Sequence, residues 1–371
     1  MVRAASGSNL SAIQSRISAH IRAMAPLVAA GASKQHFASP AATIRAEALY
    51  GVPVLLSGLA SLVLTKGELN ILSRYRRKTL RRLQKLPKRT ATPALFFLSG
   101  SLPAPALLDL RILSLFGMVT RLGEGHILVQ HAKYVVSHKM PHSWFCVVET
   151  LLEKYSLPCI NDLILNPPEK LKLKSIIKKS VMSFWHAELC RQAKEKKSLK
   201  FLRCNFIPLG KSSHPLWSSC PSGSSSAVRA AVIQAQLLCH SYHSDSMAGK
   251  WCGASEGCSL TGCNAPKSDV LHLLSGDCRP LRPRLVSAIV RGLQILEPHP
   301  YIHSQTLTAL AGSSEDWLFY LLDPSTHPAM IAFKQVNGLK SIYPAFRFSR
   351  SVIWSVHRER LRLKRQRHYL N

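Results

Sequence analysis

Cys258, Cys263, His272 and Cys278 bring three thiols and one imidazole into a stretch of 21 residues. Their spacing is C-x4-C-x8-H-x5-C, and these side chains are the donors that a tetrahedral zinc ion prefers. One structural Zn2+ is the cofactor that this pattern implies. Two short ligand pairs joined by a loop would order the segment without a large core of its own. Cys252 stands near enough to replace Cys258 as the first ligand through a longer loop. The competing fate of these thiols is burial as inert core residues, the commonest one for cysteine. Trp251 precedes the first pair, and Asp269 to Leu274 places His272 on a short apolar helix ending at Gly276.

A second candidate site is electrostatic. The chain carries 49 Lys and Arg against 19 Asp and Glu, a net charge of +30. Such an excess implies a polyanionic partner, either nucleic acid or an anionic membrane face. The densest run has Ile71, Leu72, Tyr75, Leu80, Leu83 and Leu86 set among Arg74, Arg76, Arg77, Lys78, Arg81, Arg82 and Lys85. This spacing predicts an amphipathic helix with no acid in it; Pro87 ends it, and Lys88 and Arg89 extend the charge. Its cations are candidates for phosphate contacts, because a merely solvated face ordinarily mixes signs.

The elements that must hold these residues read as mainly α. With 371 residues and 46% hydrophobic content, the chain can bury a sizeable core in two or three units. Ten cysteines unevenly spread from Cys146 to Cys278 suit a reducing compartment better than a disulfide scaffold. Ile13, Ile17, Ile21 and Met24 predict an amphipathic first helix, and residues 31 to 42 a loop. Two apolar helices follow from Pro93 to Leu122, split near Ser101 to Pro105, and Trp144 to Tyr155 adds another. Glu169 to Lys197 reads as a long basic helix with Leu173, Ile176, Ile177, Val181, Phe184 and Trp185 inward. A Ser-, Gly- and Pro-rich loop at Ser218 to Ser226 precedes a helix over Ala227 to Cys239, and further helices reach Tyr369.

Several function classes are disfavoured by context. The pattern G-x-S-x-G occurs at Gly253 to Gly257, but within the cysteine cluster and not between a strand and a helix. Gly210-Lys211-Ser212 resembles the end of a phosphate loop, yet Asn205 stands where its first glycine is required. His186-Ala187-Glu188 lacks the Pro-Cys-x-x-Cys of a zinc deaminase. No small-molecule substrate is expected. Ala48 to Thr65 is almost wholly apolar, but Gly51, Pro53, Ser57 and Gly58 interrupt it, so a buried helix pair is expected in place of a membrane span. The acid-free N-terminus, with Arg3, Arg16, Arg22, Lys34 and Arg45, supports a competing expectation: an organellar (mitochondrial) or membrane-associated basic helical protein with a presequence.

A family resemblance joins these features. Leu49-Tyr50-Gly51-Val52-Pro53-Val54-Leu55-Leu56-Ser57-Gly58, Arg76-Arg77-Lys78-Thr79-Leu80, Leu98-Ser99-Gly100-Ser101-Leu102-Pro103 and Leu113-Ser114-Leu115-Phe116-Gly117 resemble the region after the polymerase palm in reverse transcriptases of non-LTR retrotransposons. The Cys258, Cys263, His272, Cys278 group is similar to the Cys-Cys-His-Cys knuckle near the C-terminus of those polyproteins. Phe319 to Pro324 and Val356-His357-Arg358-Glu359-Arg360 resemble their closing helices. The resemblance implies a thumb-like segment over 1–92, a helical connector over 93–245, and a zinc knuckle with helical tail over 246–371. It also implies a fragment without the catalytic centre, since no Asp-Asp pair for two catalytic metals occurs in the chain. RNA or DNA is then the partner, along Arg74 to Arg89 and against Trp251, with an intact polymerase of the element as a further one. A nuclear or cytoplasmic location follows, and no enzymatic activity.

Overall fold

The computed structural model describes residues 8–29, 39–138, 140, 143–210, 212–221, 223–239, 258, 260–263, 265 and 270–370. Trp251, Cys252 and the G-x-S-x-G run lie outside the described residues. The architecture is mainly α, with no strand among the described residues.

Helix α1 (Leu10–Leu27) buries Ile13 and Met24 as the period predicts. Ile21, expected on that face, is 56% exposed; His20 takes the inward place, because positions 13, 17, 20 and 24 keep the helical period more closely. Ser39 caps α2 (Pro40–Ala46) by accepting a hydrogen bond from the Ala42 N–H, with Pro40 at the first helical position. Most of the loop expected over residues 31 to 42 lies outside the described residues, and its last three residues are helical instead. After α2 comes one π-helical turn, Glu47–Gly51, then the short α3 (Val52–Leu55) and a 3-10 turn, Leu59–Ser61. The apolar run Ala48 to Thr65 is thus broken into short pieces. Among the described residues no single helix is long and apolar enough to cross a membrane.

Thr65 and Glu68 form a reciprocal capping box at the start of α4 (Lys66–Leu83). The same Glu68 carboxylate accepts the Asn9 N–H at 2.7 Å, tying the starts of α1 and α4 together. Helix α5 (Thr92–Ser99) is buried on every face, and Gly100 after it has φ 64°. A Cβ there would stand 2.0 Å from the Ser212 carbonyl oxygen, so glycine is required. Two backbone bonds seal this crossing: the Gly210 N–H to the Gly100 carbonyl, 2.8 Å, and the His214 N–H to the Leu98 carbonyl, 3.0 Å.

Helices α6 (Ala104–Val119), α7 (Ile127–Ser137), α8 (Trp144–Lys154), α9 (Ile160–Leu165) and α10 (Lys170–Lys194) complete the middle of the molecule. Leu173, Ile177 and Val181 face inward on α10, but Ile176 and Phe184, expected there, are 38% and 39% exposed. Phe184 instead meets Tyr155 and Trp185 edge to face, and the Lys154 ammonium lies over all three rings.

The last part comprises α11 (Pro215–Ser218), α12 (Ser225–Leu238), α13 (Val270–Leu274), α14 (Arg282–Leu296), α15 (Pro300–Ala311), α16 (Ser314–Leu322), α17 (Pro328–Asn337) and α18 (Tyr343–Leu370). Helix α14 lies along α18, where Gly292 makes room for the Phe348 ring. Gln234 of α12 donates to the Leu321 and Leu322 carbonyls at the end of α16, satisfying groups the helix leaves open. Buried apolar residues from Ile13 to Val356 form one continuous cluster.

Candidate metal centre and basic surface

Residues 258–278 reach their positions by two devices. Around the first pair, the Cys258 N–H donates to the Ala265 carbonyl at 2.9 Å and the Cys263 N–H to the Leu260 carbonyl at 3.1 Å. Gly262, at φ 79°, supplies the left-handed residue that this tight turn needs. The second pair comes from α13, which presents His272, and from the turn beyond Gly276, where φ is 93°. The Cys278 carbonyl then accepts the Leu281 and Arg282 N–H groups at 2.9 Å each, so this ligand is locked to the start of α14.

The four side chains converge. Their donor atoms all lie within 4.8 Å of one another, with Cys263 Sγ 3.3 Å from His272 Nε2 and Cys258 Sγ 4.0 Å from Cys278 Sγ. A tetrahedral ion held at about 2.0–2.3 Å from nitrogen and sulfur donors would separate them by about 3.3–3.8 Å. The group can hold a metal ion. Burial, and then the neighbouring Cys258 thiol, push the Cys278 thiol up to about 12. Several thiols so close together resist ionising unless a cation offsets the charge, which is what a bound metal supplies. Leu273 and Leu274, which follow His272 on α13, are buried and line a small cleft with Ile233, Leu237, Ile353 and Val356 of α12 and α18. The second half of the candidate metal group is therefore fastened to the C-terminal helices, while Arg279 and Arg282 stay exposed beside it.

No protein-family profile, curated protein or solved structure matches the chain.

The basic run divides in two. Arg74, Lys78 and Arg82 recur at intervals of four on the solvent face of α4, and Lys88 and Arg89 are exposed beyond its end. Arg77 is half-buried. Arg76 departs from the expected role: it is only 2% exposed, because it falls on the Leu72, Leu80, Leu83 stripe, and its guanidinium pairs with Glu47 inside the fold. Burial lowers this guanidinium to about 9. It is a structural ion, out of reach of a phosphate. Arg81 spends part of its fork on the Thr90 carbonyl, 3.1 Å away, and is half-buried. Lys85 is half-buried too, and burial followed by the nearby Arg229 of α12 lowers its ammonium. Arg229, exposed and far away in sequence, thus adds to the cationic charge near Lys85, a proximity that only the fold reveals.

Other titratable groups singled out by pattern or burial are engaged within the fold. His186 shares a hydrogen bond with the Ile207 carbonyl at 3.1 Å, while Glu188 is bound by Arg191 and Gln192. His214 and Asp323 form a wholly buried pair at 3.2 Å. Since His214 Nδ1 accepts the Leu216 N–H, its Nε2 carries the hydrogen toward Asp323. Burial alone would raise the Asp323 carboxyl, but His214, Ser325 and Lys334 outweigh it and hold the group below the ordinary range.

Proposed function

We propose that this chain binds nucleic acid through exposed cations, with one structural zinc ion held by Cys258, Cys263, His272 and Cys278. In this reading it is a catalytically incomplete piece of a non-LTR retrotransposon reverse transcriptase, acting in the nucleus or cytoplasm on RNA or DNA. The observation that carries it is the convergence of four spaced donors in a chain of net charge +30. Zinc suits the set because three thiolates and an imidazole are soft to borderline ligands, whereas magnesium and calcium take oxygen. The ion would order the loop from Cys258 to Cys278 and hold Arg279 and Arg282 where phosphates can reach them. Arg74, Lys78, Arg82 and Lys88 would meet the backbone from α4. Polymerisation would need the missing carboxylates, supplied by an intact polymerase.

The test uses the purified full chain. Metal analysis should find about one zinc per chain, falling toward zero in Cys258→Ser and in Cys278→Ser. Replacing Arg74, Lys78 and Arg82 together with Glu should flatten the log–log salt dependence of RNA or DNA binding by about 2–3. Zinc unaffected by either cysteine change would remove the metal assignment, and an unaltered slope would move the binding face off α4. Absence of nucleic-acid binding by the unaltered chain would end the reading.

A further inference from the structure

Where α10 ends, the chain forms an open hollow of about 620 Å³ with a cationic rim and an apolar floor. Lys194, Lys196 and Lys197 are exposed on the rim, and no acidic side chain is among the described residues that line it. Nearby carboxylates are already paired: Glu188 and Glu195 with Arg191, and Glu315 with Lys200, itself one of the lining residues. Leu199, Leu202 and Cys204 form the buried floor.

Phe206 stands at the edge, in the 3-10 turn Cys204–Phe206, with 49% of its surface exposed. Its ring borders a second cavity of about 270 Å³, which Ser212, Ser213 and Lys334 also line. An exposed aromatic ring is therefore a rib between two hollows, with hydroxyls and an ammonium on one side and a row of lysines on the other.

We infer that this ring and its cationic rim form a subsite for single-stranded nucleic acid. One base stacks on Phe206, and the flanking phosphates lie against Lys194, Lys196 and Lys197. An aromatic platform beside a basic groove is the arrangement that holds single strands with little regard to sequence. A duplex keeps its bases stacked on each other and offers no open face to such a ring; a single strand does. The lysines contribute by releasing counterions from the strand. The larger hollow has the volume of an ordinary small-ligand pocket, enough for a nucleotide or two. The subsite rests on the nucleic-acid-binding reading above but uses no residue of α4.

The experiment measures binding of the full chain to a labelled single strand of about a dozen nucleotides and to the matching duplex, across a salt series. Phe206→Ala should weaken the single strand about tenfold and the duplex by less than about twofold. Lys196→Gln with Lys197→Gln should lower the single-strand salt slope by about 1.4. On the unaltered chain, photo-crosslinking to an iodouracil-containing strand should label the peptide that carries Phe206, which keeps the test independent of any folding defect in the variants. Equal losses on strand and duplex, no loss with Phe206→Ala, or a crosslink confined to other peptides would each overturn the subsite. If only the α4 substitutions weaken binding, the subsite fails and the wider reading stands; if the unaltered chain binds neither probe, both fail.

Discussion

Arg76 is the residue at which charge and hydrophobic pattern compete, and pattern wins. It follows Leu72 by four and precedes Leu80 by four, so the helix turns it inward, where Glu47 from the π-helical turn meets it. Removing one partner strands the other: Arg76→Met should lower stability by about 3–5 kcal/mol, against little change for its half-buried neighbour in Arg77→Met. Urea unfolding midpoints would decide it, and equal midpoints for the two would deny the buried pair its role. His20 joins the network through Tyr75, 2.7 Å away, and lies 3.6 Å from Glu47. Arg76 already occupies that carboxylate, so burial, and then Arg76, lower His20 from 6.5 to about 4. Between those values the unfolded chain binds a proton that the folded chain refuses. Its contribution is complete above pH 6.5 and is lost on acidification toward about 4, and His20→Gln should flatten that part of the stability profile.

At the scale of elements, the end of α4 carries a strain that its sequence does not relieve. Lys85 has φ 55°, and the Leu86 N–H reaches the Arg81 carbonyl while the Lys85 N–H reaches that of Arg82. This is the Schellman arrangement, in which glycine normally takes the left-handed place. Lys85→Gly should therefore stabilise the fold by up to about 1 kcal/mol, read as a higher melting temperature, and a lower one would show that the lysine stem matters more than its backbone. The helices themselves were legible from apolar spacing: α4, α5, α6, α8, α12 and α14 fall close to where Leu, Ile and Phe recur. That Cys258, Cys263, His272 and Cys278 form a group able to hold a metal ion was legible from residue type and spacing alone. What the sequence could not give was the direction of single side chains on a shared face, as with Ile21 and His20, or Phe184 on α10. Nor did any local signal point to Arg229 beside Lys85, or to the lysines and Phe206 around the α10 cavity, since those groupings arise only when distant segments pack.

For the whole molecule the dominating quantity is the charge of +30 on 371 residues. Like charges on a compact body repel one another, and salt screens them over about 10 Å at 0.1 M. Melting temperature should rise with salt by several degrees, whereas the proposed nucleic-acid affinity should fall over the same range. A melting temperature that dropped with salt would mean that the exposed attractive pairs, Arg191 with Glu188 and Glu195 and Lys200 with Glu315, outweigh the repulsion.

The crossing at Gly100 has a temporal meaning. Leu98 and Gly100 find their backbone partners His214 and Gly210 only about 110 residues further along the chain. At about 5–20 residues per second, a ribosome takes roughly 6–20 s to deliver them. Throughout that interval α5, whose residues Ala94 to Leu98 end at most 3% exposed, lacks this part of its cover and offers Leu95, Phe96 and Phe97 to whatever else is present. Until residue 214 emerges the nascent protein therefore leaves this side of α5 uncovered, although α4 and then α10 already pack on it, and any product that stops earlier keeps that side open.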